Sequence, residues 1–446
     1  MAREQFSTRF GAIAATVGSA VGLGNIWRFP YEAGTNGGGA FLLCYIGFVF
    51  VLCIPVLIAE FIMGRATRSN VIGAYRRLGG KKWGYVGYLA ILSSLMILSF
   101  YSVISGCSIY YLIESINGNL FTEAGVNGFH ERLQDFNSSA LYTVGYTLLF
   151  LAFNAAILLR GVAKGIEKMS NVLMPVLFLL LIVFSINSLT MDKCAEGLKF
   201  LFYPDFSAIT TSTLINAMGQ AFFSLSIGMG SMMTYASYFG DETRLGHTAT
   251  STAILDTMVA IMAGVIIFPA VFTFGFEPTA GPQLVFEVFP AIFSQLFGGQ
   301  IWAILFFGLL LVASLTSTVS MSEISIAFFQ EEWKMKRSWS VVLSTAITIV
   351  GAVLCALSFG LLDNVRIAGM SIFNFFDYTT SNILLPISGL ILSIFVGWKL
   401  DKIVFRKQLT NDGRYPTKMI YVYHILLKYF APVCVFIVVL YMFGLI

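Results

Sequence analysis

The chain has 446 residues, of which 57% are hydrophobic and 11% charged; a soluble domain carries about 25% charged residues, so a water-soluble globule is excluded. A mean hydropathy of +0.82 and many apolar runs of the ~20 residues needed to cross a bilayer predict an all-α polytopic membrane protein. The net charge of +4 sits in short loops between those runs, which gives no nucleic-acid surface, and the six cysteines form no C-x-x-C, which gives neither a disulfide framework nor a metal cluster.

The spacing predicts eleven spans. MAREQFSTRF has no compact apolar core followed by a cleavage site, so it does not read as a signal peptide. The first span runs from about Phe10 to Ala33 and the second from Ala40 to Met63. A basic loop follows, then a third span over Tyr85 to Ile113 and an acidic loop holding Glu123, Glu131 and Asp135. The fourth and fifth spans cover Leu141 to Leu159 and Met169 to Ile186. A loop with Asp192, Glu196 and Asp205 leads to a sixth over Ile209 to Phe239, and the seventh covers Thr248 to Phe274. Glu277 to Gly299 is apolar but cut by Pro278, Pro282 and Pro290, and reads as a re-entrant or capping hairpin. The eighth to eleventh spans cover Ile301 to Phe329, Val341 to Phe359, Ile367 to Trp398 and Tyr421 to Ile446.

Two of these spans cannot be regular helices. Gly18, Gly22 and Gly24 crowd the first, flanked by Ser19 and Asn25, and each glycine costs about 1 kcal/mol against Ala in a helix interior. SLSIGMGS in the sixth repeats the pattern, with Gly228 and Gly230 each 206 residues after Gly22 and Gly24. Glycine-interrupted spans at matching places in two halves point to a transporter's binding site, where freed carbonyls hold cations and freed N–H groups hold anions. Glycine is also common where membrane helices pack closely, which is the plainer reading of either stretch alone.

ASLTST in the eighth span offers adjacent hydroxyls, which either bond back to the preceding turn or contribute to a neutral oxygen cage for a hard cation. Asp256 is an intramembrane carboxylate with no Lys or Arg within a helical turn: a protonated structural group or a cation ligand. Asp377 and Arg28 both fall towards the same end of the bundle and could pair across a vestibule. Tyr101 and Gln220 are single polar groups, each a helix contact or a ligand.

Lysine and arginine bias sets the orientation. With the N-terminus inside, inner segments hold 21 of the 27 basic residues and outer loops hold Arg132, Lys193, Lys199 and Arg366. Eleven spans then place the C-terminus outside, in a multi-pass protein of the plasma (bacterial inner) membrane. Residues 1–190 hold spans one to five, residues 191–400 hold spans six to ten with the hairpin at 277–299, and 401–446 hold an accessory eleventh. Five spans per half invert one half relative to the other, the arrangement of alternating access.

GSAVGLGNIWRFPYEAGTNGGGAFLLCY resembles the first-span signature of the neurotransmitter:sodium symporters; GQAFFSLSIGMGSMMTYASY resembles their sixth span and ASLTSTVSMSE their eighth. The resemblance covers essentially the whole chain, and eleven spans resemble the prokaryotic branch, whose members include transporters of leucine, tyrosine and other hydrophobic amino acids. It implies the LeuT-type fold, a 5+5 inverted repeat with broken first and sixth helices. It implies two sodium ions as cofactors. One would meet Ala20, Asn25, Ser224, Asp256 and the substrate's carboxylate; the other would meet Gly18, Val21, Ala313, Thr316 and Ser317. The substrate would lie against Ser19, Ala20, Gly22, Leu23, Gly24, Ile97, Tyr101, Phe223, Ser226, Met229, Ser317 and Met321. Arg28 with Asp377 would form the outer gate, and Arg3 with Glu331 the inner gate, supported by Ser237 and Tyr238.

Three departures from the family pattern carry information. Asp256 stands where Asn is usual, and its fixed charge would replace the chloride that animal members place near the positions of Tyr45, Gln220 and Ser224; chloride is therefore not expected. Gly22 stands where amine carriers have Asp, leaving room for a substrate carboxylate. Glu331 replaces the usual Asp of the inner gate. The pocket is apolar, with two adaptable methionines, so the expected partner is a bulky aromatic or branched L-amino acid, within membrane lipid and without nucleic acid. A non-transporting amino-acid sensor on the same fold is the alternative. An intramembrane enzyme is disfavoured, because His130, His247 and His424 lie at loops or span ends and no H-E-x-x-H occurs. A channel is disfavoured by a site with two gates.

Overall fold

The computed structural model describes residues 5–121, 125–276 and 284–442. All regular elements among them are helical, with two isolated bridges, Gly38 to Pro204 and Ile367 to Met370. The main helices are α1 Arg9–Ala20, α2 Gly24–Thr35, α3 Gly39–Thr67, α4 Lys81–Ile116, α5 Ala140–Leu158 and α6 Val162–Leu189. They continue as α7 Thr211–Ser224, α8 Ser231–Ala236, α9 Leu245–Phe274, α10 Gly299–Glu332, α11 Arg337–Leu357, α12 Ile372–Lys399 and α13 Met419–Leu440. Among the described residues nine helices are long and apolar enough to cross a membrane, or ten if α1 and α2, bent by 49°, form one span.

Burial sorts these helices into an inner and an outer set. The most apolar stretch of α4 is 72% buried within the protein, against 28% for α6 and 22% for α13. The outer helices turn Val172, Leu179, Ile186, Val433 and Phe436 outwards, as lipid contact requires and water would penalise. α1, α4, α8, α9 and α10 meet in the interior.

Four charged stretches expected as loops contain helices: Val71–Gly79, Gly125–Ser138, Cys194–Phe202 and Lys402–Leu409. Each is too short to span, and its amphipathic face rests on the bundle instead. In Val71–Gly79 the residues Val71, Ile72, Ala74 and Tyr75 are buried while Arg76 and Arg77 face out, and Asn70 caps the helix by accepting the Gly73 N–H. In Cys194–Phe202, Leu201 is buried near Gly264 of α9. Of the expected hairpin, Pro278 and Pro282 lie outside the described residues; the described part is helical over Leu284–Val288 and Phe289–Gln295, with Phe289 stacked on Phe306 of α10 at 4.5 Å between ring centroids.

Candidate functional site

The site begins where α1 stops. Thr8 caps its start by accepting from the Gly11 N–H, and Glu167 of α6 accepts the Ser7 and Thr8 N–H groups at 2.8 and 3.1 Å. At Val21 the backbone turns extended, with φ −67° and ψ 120°, and the helical path resumes at Gly24. Gly22 is required here by space. A Cβ on it would fall against the Ser317 Oγ and the Tyr101 hydroxyl. A Cβ on Gly24 would lie 2.9 Å from the Phe223 ring.

The second interruption, residues 225–230 between α7 and α8, has a different cause. Ser226, Gly228 and Gly230 have φ of 54°, 88° and 79°, a region in which glycine alone is unstrained. Glu60 of α3 holds this segment. It is 1% exposed, and its carboxylate accepts the Gly228 N–H at 2.8 Å and the Met233 N–H at 3.0 Å. The sequence reading passed over Glu60, although a lone acid in the apolar run IPVLIAEFIM is itself a signal.

A fully buried acidic cluster links the two interruptions. Asp256 on α9 accepts from the Ser224 hydroxyl at 2.6 Å and from the Asn25 amide at 2.8 Å. The Asn25 amide also reaches Ser224 at 2.8 Å, and its oxygen accepts the Gly22 N–H at 3.0 Å. Tyr45 approaches Ser224 at 3.3 Å. Carboxylate, amide and hydroxyl oxygens in a dry site form a donor set for a hard cation. Ala20 ends α1 beside this cluster in sequence.

The hydroxyl cluster of α10 lies on the other side of the same break. Ser317 donates to the Val21 carbonyl at 2.9 Å. Thr316 donates to the Ala313 carbonyl at 3.0 Å, and its Cβ would lie 3.3 Å from a Cβ placed on Gly18. Gly18, Val21, Ala313, Thr316 and Ser317 are thus brought together. In this structure Thr316 also makes the backward bond to the preceding turn that helical threonines favour.

Between these clusters, Tyr101 accepts the Leu23 N–H at 2.7 Å. Ser226 donates to the Ser19 carbonyl at 3.0 Å, Ser19 to the Ser320 hydroxyl at 2.8 Å, and Gln220 to the Gly24 carbonyl at 3.0 Å. Ile97, Met229 and Met321 are buried, and Phe223 is half-buried.

Among the described residues no ion pair joins Arg28 to Asp377 at the expected outer gate. The carboxylate nearest Arg28 is Glu32, at 3.6 Å, while Asp377 accepts from Ser381 at 3.0 Å. One helical turn separates Arg28 from Glu32, so α2 supplies both charges. The guanidinium also lies over the Phe223 ring, 4.5 Å from its centroid. Arg3 lies outside the described residues. Glu331 accepts the Asn70 N–H at 2.8 Å and the Asn70 side chain at 3.0 Å. Tyr238, expected to support Glu331, donates to Glu323 at 2.7 Å, and Ser237 donates to the Thr234 carbonyl. Glu323 is fully buried and is gripped by both terminal nitrogens of Arg337, at 2.9 and 2.8 Å. The sequence reading did not single out Glu32, Glu323 or Arg337.

Comparison with known proteins identifies the family. The model of the sodium:neurotransmitter symporter family matches residues 3–139 and 134–445. The uncharacterized sodium-dependent transporter YhdH of Bacillus subtilis is 38% identical over 99% of this chain and 98% of its own length. A sodium-dependent transporter of Methanocaldococcus jannaschii is 32% identical over 89% of this chain and 82% of its own. The crystal structure of MhsT in complex with L-phenylalanine superposes with a TM-score of 0.92 at 40% identity, covering 98% of this chain and 99% of that one. The chain belongs to the sodium:neurotransmitter symporter family, a family of membrane transporters, and is not an enzyme.

Proposed function

We propose that this protein is a sodium-coupled symporter that takes up a bulky hydrophobic L-amino acid by alternating access, without chloride. The observation that carries the reading is the buried Asp256–Asn25–Ser224 cluster set directly against the Gly22 opening. A substrate carboxylate at Gly22 would share one sodium ion with that cluster and accept from N–H groups near Leu23 and Gly24 and from Tyr101. This makes ion and substrate binding mutually dependent. A second sodium would meet Gly18, Val21, Ala313, Thr316 and Ser317. Asp256 supplies the negative charge that a chloride would otherwise bring. The apolar lining from Ile97, Met229 and Met321 favours aromatic or branched side chains, and the likeness to a transporter solved with L-phenylalanine supports the same class.

In this reading α1 with α2, and α7 with α8, are two membrane-crossing helices broken at mid-depth. They bring the crossings to eleven, in two inverted sets of five plus α13, with the N-terminus in the cytoplasm of a bacterial-type plasma membrane and the C-terminus outside. The gates are Arg28 with Glu32 and Asp377 above, and Glu331 with the N-terminal Arg3 below.

The test is sodium-dependent binding of labelled L-phenylalanine to the purified protein. Tryptophan, tyrosine and leucine should compete, while glutamate, lysine and serotonin should not. Replacing chloride by gluconate should leave binding unchanged. Competition by the amine would overturn the reading of Gly22, and loss of binding in gluconate would overturn chloride independence.

A further inference from the structure

The stretch ASLTSTVSMSEIS of α10 carries seven hydroxyls, more than the sodium site proposed above uses. At ~100° per residue, Ala313, Thr316, Ser317 and Ser320 share an arc of ~100° on the helix surface. This arc faces α1: Ser317 donates to the Val21 carbonyl at 2.9 Å, and Ser19 donates to Ser320 at 2.8 Å. Thr318, Ser322 and Ser325 fall in a second arc ~60° wide, centred about 160° away. All three are buried, and the sodium site takes none of them.

The second arc finds its partners on other helices. Asn154 of α5 donates to the Thr318 hydroxyl at 2.7 Å. Thr318 gives its own proton to the Ser314 carbonyl at 2.9 Å, which leaves its oxygen to accept. Asn154 also accepts from the Ser322 hydroxyl at 3.3 Å, whose proton reaches the Thr318 carbonyl at 2.9 Å as well. Ser325 shares a hydrogen bond with Ser344 of α11 at 2.6 Å.

Asn154 is out of keeping with its own helix. It is a lone amide in the apolar run FLAFNAAILL. The most apolar stretch of α5 is only 33% buried, yet Asn154 is 2% exposed and both ends of its amide meet α10. One polar bond would hold two membrane helices together. An amide that donates to one residue of α10 and accepts from the residue a turn further on also fixes how α10 is rotated about its axis. The two arcs belong to one continuous helix. Turning it away from Asn154 swings Thr316 and Ser317 away from Gly18 and Val21.

We propose that Asn154 is a positioning residue for the second sodium site: through Thr318 and Ser322 it sets the rotation of α10, so that Thr316 and Ser317 face the break in α1. The inference rests on the reading of those two hydroxyls as sodium ligands. Without the clasp, α10 samples rotations in which they point elsewhere. Sodium then binds only the competent fraction, and its apparent affinity falls although every ligand is still present.

The test is melting of the purified full chain in detergent across a sodium titration, with potassium holding the ionic strength and no amino acid added. The dependence of melting on sodium gives an apparent dissociation constant, separate from the melting temperature in potassium alone. Asn154→Leu and Thr318→Val should each raise that constant about fivefold, the scale of one neutral hydrogen bond, and the double variant should raise it no further. Thr318→Ser keeps the hydroxyl and should stay near native. Thr147→Val removes another buried hydroxyl of α5, one bonded to its own preceding turn at 2.6 Å; it should lower melting in potassium and leave the sodium constant unchanged. If sodium stabilises the native protein but the Asn154→Leu and Thr318→Val constants equal the native one, or their effects multiply in the double variant, or Thr147→Val raises the constant as much, the proposal is overturned and the sodium reading stands. If sodium stabilises the native protein no more than potassium does, the sodium reading itself is overturned and this inference with it.

Discussion

In the proposed site the missing side chain of Gly22 is what makes room for the substrate carboxylate. A Cβ there would strike the Ser317 and Tyr101 oxygens, and relieving such overpacking typically costs 1–3 kcal/mol. Gly22→Ala should therefore weaken amino-acid binding roughly 5- to 150-fold in a scintillation proximity assay while the protein still folds. Unchanged affinity would mean that the substrate lies elsewhere. Asp256 makes a separate prediction. Asp256→Asn keeps the shape and removes the charge from the Ser224 and Asn25 cluster. The sodium concentration for half-maximal binding should rise about tenfold or more, the scale of one lost charge-assisted contact. A sodium titration that superposes on the native curve would remove Asp256 from the ion site.

The two helix interruptions show what was legible in the sequence and what was not. Their existence follows from clustered glycines. Their causes do not, because Gly22 and Gly24 make room for distant side chains while Gly228 and Gly230 take positive φ, and sequence spacing records neither distance nor dihedral. Asp256 stood out because it lies in a clean apolar run, whereas the roles of Glu60, Glu323 and Arg337 depend on partners 14 to 173 residues away. The short amphipathic helices were missed because their charge resembles that of loops until a bundle surface is there to cover their apolar faces. Glu60 makes the prediction at this scale. Glu60→Ala leaves the Gly228 and Met233 N–H groups without their acceptor, at about 1–3 kcal/mol for each unpaired group. The melting temperature in nanodiscs should fall and substrate affinity with it, and Glu60→Gln should lose less. Equal melting of all three proteins would show that the carboxylate does not hold the segment.

For the whole molecule, the eleven crossings proposed above would place the chain ends on opposite faces, with the basic loops inside. In a background lacking the six native cysteines, Lys193→Cys should react with a membrane-impermeant maleimide in intact cells and Thr417→Cys only after permeabilisation. The opposite pattern would invert the orientation. Energy coupling separates a transporter from a sensor, because a site that binds sodium and substrate together can also merely sense them. It is tested most directly by uptake of labelled L-phenylalanine into proteoliposomes under an inward sodium gradient. A coupled symporter should accumulate it above the external concentration, and the accumulation should collapse when potassium replaces sodium or an ionophore dissipates the gradient. Sodium-dependent binding without accumulation, or accumulation indifferent to sodium, would contradict it.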